Sequence, residues 1–243
     1  MKNKQQTKTA HLSSLLERRW GWWLVIIGVL VVAAIRLIQL ESETLLRAQE
    51  LNLWLPTGLY WKTLMQYPGG AASWLATYLT QYFYYPWLGV SILCGLWLII
   101  CALLVWVYRL RGPWLTLTLL VPLALLACFT QTGYWIYYQK LQGYFFVPTV
   151  GVLFASCCLA VQRILDDILP AKAAGWVRLV WMALVCILGY PFFGAWALGA
   201  TGLLGLLTDS PPALPKREGA ITCTKVRLIA TNSLLEFLIP FMI

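Results

Sequence analysis

The chain has 243 residues, 60% of them apolar and only 11% charged, with a formal net charge of +9. Soluble domains carry roughly 25% charged residues, so composition excludes a protein whose whole exterior faces water. Lipid must be the solvent for much of the chain, and its length is best counted in spans of about 20 apolar residues.

The first nineteen residues are polar and basic, with Lys2, Lys4, Lys8, Arg18 and Arg19 against Glu17. "WGWWLVIIGVLVVAAIRLIQL", residues 20–40, follows as an uncleaved first span. It holds twelve Leu, Ile or Val residues; together they favour insertion by roughly 5 kcal/mol. Arg36 near its far end can snorkel to the interface. A cleaved signal peptide is the rival reading, but the segment is long for one and no small-residue cleavage site follows.

Residues 41–85 are amphipathic. Glu43 and Arg47 stand four apart, and Arg47 and Glu50 three apart, spacings that support a short helix. "YPGG" at Tyr67 to Gly70 breaks the chain, so two interfacial helices flanking this turn are expected. "TQYFYYPWLG", Thr80 to Gly89, puts five aromatic residues in ten ahead of the second span, with Pro86 as the helix start. That span covers 86–108 and stops at Arg109 and Arg111.

A third span is expected over 113–129, and a fourth over 145–161 after the aromatic connection "TQTGYWIYYQKLQGY". The apolar run 176–207 is interrupted by "YPFFG" at Tyr190 to Gly194. It reads as a tight hairpin of two short spans, 176–190 and 192–207, with one span plus a re-entrant piece as the alternative. Ala197, Thr201 and Gly205 at four-residue steps offer a small face for helix packing. Residues 208–243 begin as a linker, "TDSPPALPKREG", and form a tail.

With six spans and the N-terminus inside, fourteen of the eighteen Lys and Arg residues fall on the cytoplasmic side. Arg36, Arg47, Lys62 and Lys140 remain outside. This bias orients the chain and accounts for its positive charge without a nucleic-acid partner. Eleven of the twelve tyrosines lie on the outer side, Tyr108 being the exception. An ordinary aromatic belt populates both interfaces, so the outer set marks a surface that could bind a lipid head group, a glycan or a partner protein. Its candidate residues are Tyr82, Tyr84 and Tyr85, with Tyr137, Tyr138 and Lys140 from the second connection.

Chemistry is sparsely provided. The single histidine, His11, sits in the N-terminal tail, which excludes a membrane-embedded imidazole as base or metal ligand. Six of the seven cysteines lie in apolar runs without zinc or redox spacing and read as small apolar fillers. The vicinal Cys157 and Cys158 could form only a strained disulfide. No phosphate-binding loop or dinucleotide fingerprint is present, and no cofactor or metal site is expected. Asp166 and Asp167 read as a solvated pair in a cytoplasmic link. Glu41 and Glu43 are the candidate catalytic acids. Their place just beyond the first span resembles that of the acidic residue in multi-pass glycosyltransferases using lipid-linked sugars, although no Asp or His stands beside them.

The order of features from Leu51 to Gly89 resembles a domain-of-unknown-function family of bacterial multi-pass membrane proteins typical of gut anaerobes. The carrying features are the P-G-G turn at Pro68 to Gly70, the T-Q-x-F-Y-x-P-W-L-G stretch at Thr80 to Gly89, and "YPFFG". The likeness extends over residues 20–207; it implies architecture and cellular context, no catalytic residue, and a chain shortened at its C-terminal end. The expected protein is all-α, with about six transmembrane helices, in a bacterial inner membrane. Two functions stand open. One is a membrane component whose outer aromatic surface contacts lipid, glycan or a protein. The other is a glycosyltransferase-like enzyme, or a remnant of one, using Glu41 and Glu43.

Overall fold

In the computed structural model the described residues are 19–132, 143, 145–168 and 171–208. Among them the chain is all-helical, with no strand. Its helices are α1 (Arg19–Leu40), α2 (Ser42–Leu51), α3 (Gly58–Leu64), α4 (Gly70–Thr80), α5 (Pro86–Tyr108), α6 (Leu120–Thr132), α7 (Phe146–Ile168), α8 (Ala171–Phe193) and α9 (Ala195–Thr208). Two 3₁₀ segments, Gln81–Tyr84 and Gly112–Leu119, lead into α5 and α6. The tail to Arg18, the connection containing Tyr137, Tyr138 and Lys140, and the tail beyond Thr208 lie outside the described residues.

Four stretches are long and apolar enough to cross a membrane: Gly21–Leu40, Pro86–Tyr108, Phe146–Ile168 and Gly175–Phe193. Of the six expected spans, four thus meet the requirement by length and composition. The other two differ for separate reasons. The segment from Gly112 begins as 3₁₀ helix, and Pro122, with no N–H, cannot bond the Thr118 carbonyl four residues back. That carbonyl instead accepts from Cys101 Sγ on α5 at 3.6 Å. Because 3₁₀ helix rises about 2.0 Å per residue, residues 112–132 reach roughly 35 Å, beyond the hydrocarbon thickness of about 30 Å. Helix α9 is simply short: its 14 residues rise about 21 Å.

Helix α5 packs on α1 and α7, while α9 packs on α7 and α8. Trp97 of α5 is fully buried, and its indole N–H donates to Thr149 Oγ1 of α7 at 3.3 Å. On α1 the outward residues include Leu24, Val31 and Val32; on α8 they include Leu179, Val180 and Ile187. Such apolar surface is unfavourable against water and suited to hydrocarbon. The small face expected on α9 is used within the chain. Ala197 is buried close against Gly189 of α8, and Gly205 lies near Met182. All six cysteines among the described residues are free thiols.

Helix α5 ends in a Schellman-type cap. The Leu110 N–H donates to the Val105 carbonyl (3.1 Å) and the Arg109 N–H to the Trp106 carbonyl (3.3 Å). Arg109 occupies the left-handed position at φ 48°, where glycine is usual. Its guanidinium is engaged at the far end of α7, as described below.

Residues 41–85 fold into three short helices and a 3₁₀ turn, one helix more than expected. Helix α2 carries the anticipated Arg47–Glu50 ion pair at 2.9 Å, with both side chains more than half exposed, so its contribution is only a few tenths of a kcal/mol. The Thr57 side chain accepts from the Tyr60 N–H and starts α3. Helix α4 packs against α7 and α8 and so belongs to the bundle. At its start, two glycine turns meet. The Gly69 N–H, at φ 90°, donates to the Pro191 carbonyl near the end of α8 at 3.1 Å. Gly194, at φ 59°, reverses the chain into α9 beside Pro68 and Gly69. "YPGG" and "YPFFG" are therefore two halves of one joint, in which a loop amide satisfies a helix-terminal carbonyl.

Candidate functional site

Trp74, Tyr78 and Tyr82 follow one another at four-residue steps along α4 and the 3₁₀ turn, so they share a face. Trp54, from the link between α2 and α3, and Trp61 of α3 pack onto that face. The result is an unbroken string of rings. Centroids are 5.2 Å apart for Trp61–Trp74, 5.5 Å for Trp74–Trp54, 5.0 Å for Trp54–Tyr78 and 5.7 Å for Tyr78–Tyr82. All four pairs are edge-to-face, the arrangement the ring quadrupoles favour.

Polar atoms punctuate the string. The hydroxyls of Tyr78 and Tyr82 share a hydrogen bond of 2.9 Å. That bond, and next the repulsion between two phenolates, push the Tyr82 hydroxyl above the usual phenol range. Tyr82 accordingly keeps its proton at physiological pH. The indole N–H of Trp54 is buried and has no hydrogen-bond partner, although tryptophan normally finds one.

The turn containing "QYFYY" sorts its residues by direction. Phe83 is fully buried against Phe145 (5.5 Å) and Phe146 (5.2 Å). Tyr84 and Tyr85 project outward at 62% and 55% exposure and touch each other edge-to-face at 4.9 Å. Of the tyrosines expected here, Tyr82 thus joins the ring string, while Tyr84 and Tyr85 form a separate exposed pair. Tyr137, Tyr138 and Lys140 lie outside the described residues. Sequence reasoning passed over Trp54, Trp61, Trp74 and Tyr78. The four-residue spacing of Trp74, Tyr78 and Tyr82 was the available signal for three of the five rings; nothing local indicated Trp54 or Trp61.

A buried amide holds the string in place. Asn52 Nδ2 donates to the Ala48 carbonyl at 2.8 Å, Asn52 Oδ1 accepts from the Gly143 N–H at 2.9 Å, and the Asn52 carbonyl accepts from Gln81 Nε2. One residue thereby ties α2, the turn before α5 and the chain entering α7, two positions before Trp54. Asn52→Ala is expected to destabilise by about 1–3 kcal/mol, the penalty for stranding the buried Gly143 N–H. The midpoint of thermal unfolding in detergent measures it.

Glu41 precedes α2 and makes no capping bond with its side chain, and Glu43 is exposed in the first helical turn. Both residues stand at the N-terminal end of α2, where the helix dipole favours negative charge. Among the described residues no metal-binding cluster of His, Cys, Asp and Glu occurs.

At the opposite end of the bundle, Asp166 and Asp167 are more engaged than a solvated link requires. Asp166 accepts from Arg178 Nε of α8 at 2.8 Å and from Gln162 Nε2 at 2.9 Å. Asp167 contacts Arg109 Nη2 at 3.2 Å and Arg163 Nη2 at 3.5 Å. The two carboxylates join the ends of α5, α7 and α8.

Residues 12–217 fit the model of a family described as "Family of unknown function (DUF6057)". Nothing among curated proteins or solved structures matches.

Proposed function

Because the chain belongs to this family of unknown function, its role must be read from its own residues, and we propose that it is a non-enzymatic membrane component binding a membrane-tethered glycan through its outer aromatic string. In this reading the protein crosses a bacterial inner membrane six times, α9 being the short pass, with the N-terminus in the cytoplasm. The split of basic residues supports that orientation. The observation carrying the function is the string Trp61–Trp74–Trp54–Tyr78–Tyr82, with a bonded phenol pair at one end. Tyrosine and tryptophan offer an apolar ring and a polar tip in one side chain, and sugars present apolar faces ringed by hydroxyls.

The test is carbohydrate analysis of the detergent-purified protein after acid hydrolysis. The wild type should retain glycan, and a variant with Trp74→Leu, Tyr78→Leu and Tyr82→Leu should insert normally but lose at least about tenfold of it, since several ring contacts of about 1 kcal/mol each disappear. Tyr84→Leu with Tyr85→Leu serves as the comparison for the separate exposed pair. A wild type free of carbohydrate would remove the basis of the proposal.

The enzymatic alternative assigns Glu41 and Glu43 as acids of a glycosyltransferase-like reaction on a lipid-linked sugar. Its support is that these carboxylates sit on the same loop as the ring string, one helix away from Trp54. Glu41→Gln with Glu43→Gln separates the two readings. An unchanged cell-surface glycan profile, in a strain where deleting the gene alters it, rules the enzyme out.

A further inference from the structure

We propose that Arg109 and Arg163, flanking Asp167 at the ends of α5 and α7, form a binding site for the phosphate of an anionic phospholipid head group. Two guanidiniums share one carboxylate there, at 3.2 and 3.5 Å. The neighbouring Asp166 is matched one-to-one by Arg178, so one positive charge at Asp167 is left without a counter-charge. Arg163 is the loosely held member. Its contact with Asp167 is the longest of the ion pairs described, and its Nε–H is buried without a hydrogen-bond partner. Turning its head toward a phosphate therefore gives up little.

Position agrees with charge. Arg109 immediately follows the apolar stretch Pro86–Tyr108, and Arg163 and Asp167 stand in the last turns of Phe146–Ile168. A helix ending there brings these groups to head-group depth. Arg109 is open to a ligand, its side chain 64% exposed, and the Arg163 side chain is partly so at 30%. Exposed Ile164 and Ile168 of α7 supply apolar surface beside them for acyl chains. Guanidinium is also the cation best shaped for phosphate oxygens. The left-handed φ of Arg109, accepted where glycine would be relaxed, fixes the base of one of the two arms.

The experiment is native mass spectrometry of the delipidated full chain in detergent, titrated with phosphatidylglycerol, phosphatidylcholine or inorganic phosphate. Phosphatidylglycerol should be retained in preference to phosphatidylcholine. Arg163→Gln should weaken it about fivefold, the effect of one basic residue near a charged head group. Asp167→Asn should strengthen it by a similar factor of about five, because removing the shared carboxylate raises the local charge. A cluster serving only to fasten the helices would give the opposite for Asp167→Asn: a lower unfolding temperature with lipid affinity unchanged. Should Arg163→Gln fail to fold, Arg163→Lys keeps the charge, and it should retain preference for phosphatidylglycerol. Equal retention of the two lipids, binding of inorganic phosphate as tight as that of the lipid, or an affinity indifferent to Asp167→Asn overturns the proposal.

Discussion

Gly70→Ala is expected to destabilise the protein by about 3 kcal/mol or more, at the upper end of the range for overpacking a filled site. A methyl group on Gly70 would lie 2.2 Å from the Leu64 carbonyl oxygen, 2.6 Å from its carbon and 3.0 Å from the Met65 Cα. All three are backbone atoms, so no rotamer change relieves the clash. The end of α3 must separate from the start of α4, which also pulls Gly69 off the Pro191 carbonyl. The joint between loop and bundle opens, and the ring string loses its footing because Trp61 and Trp74 sit on the two helices being forced apart. Thermal unfolding in detergent, followed by size-exclusion profile, measures this loss. Gly95→Ala is the control: nothing lies within 4 Å of its added carbon, and the change should be neutral or stabilising by up to about 1 kcal/mol. Equal behaviour of the two variants would contradict the described contact between α3 and α4.

Gly151→Ala is expected to cost about 2–3 kcal/mol for a different reason, with a different signature. Here the new methyl would stand 2.2 Å from Cδ2 and 2.4 Å from Cγ of Trp196. The obstacle is a side chain, and the contact it occupies joins α7 to α9. Helices in a membrane associate chiefly by close packing and polar contacts, because hydrocarbon gives no hydrophobic gain on association, so a glycine under a tryptophan is a main source of their affinity. Truncating the ring should rescue the methyl. In a Trp196→Leu background, Gly151→Ala should cost less than about 1 kcal/mol, giving a coupling of about 2 kcal/mol in the double-mutant cycle. No such rescue exists for Gly70, whose neighbour is main chain. Additive effects of Gly151→Ala and Trp196→Leu would disprove the contact.

Several features were legible in the sequence because their causes are local. Pro86 begins α5 in the structure because its fixed φ and missing N–H suit a first turn. The Arg47–Glu50 spacing gives an ion pair on α2 since three residues make most of a turn. "YPFFG" does reverse the chain at Gly194, in a left-handed conformation open to glycine. Yet α8 continues through Pro191 to Phe193, further than a break at "YP" suggested. The sequence likewise left Asp166 and Asp167 as a plain polar link, since their partners stand up to 58 residues away in the chain.

Burial shows where such reading stops. Helices α7 and α8 have nearly the same hydropathy, but 56% of the apolar stretch of the first is buried and only 11% of that of the second. In water, apolarity predicts the interior; in lipid the exterior is apolar too, and hydropathy no longer distinguishes them. By itself the sequence determined an all-helical chain rich in membrane-compatible helices, because length, apolarity and proline placement act within one segment. Only the tertiary structure decided that Phe83 turns inward while Tyr84 and Tyr85 turn out, that Trp54 and Trp61 complete a string begun by Trp74, and that two arginines divide Asp167. Each of those outcomes depends on contacts between segments distant in the chain, and such contacts are fixed by close packing, to which no local pattern gives access.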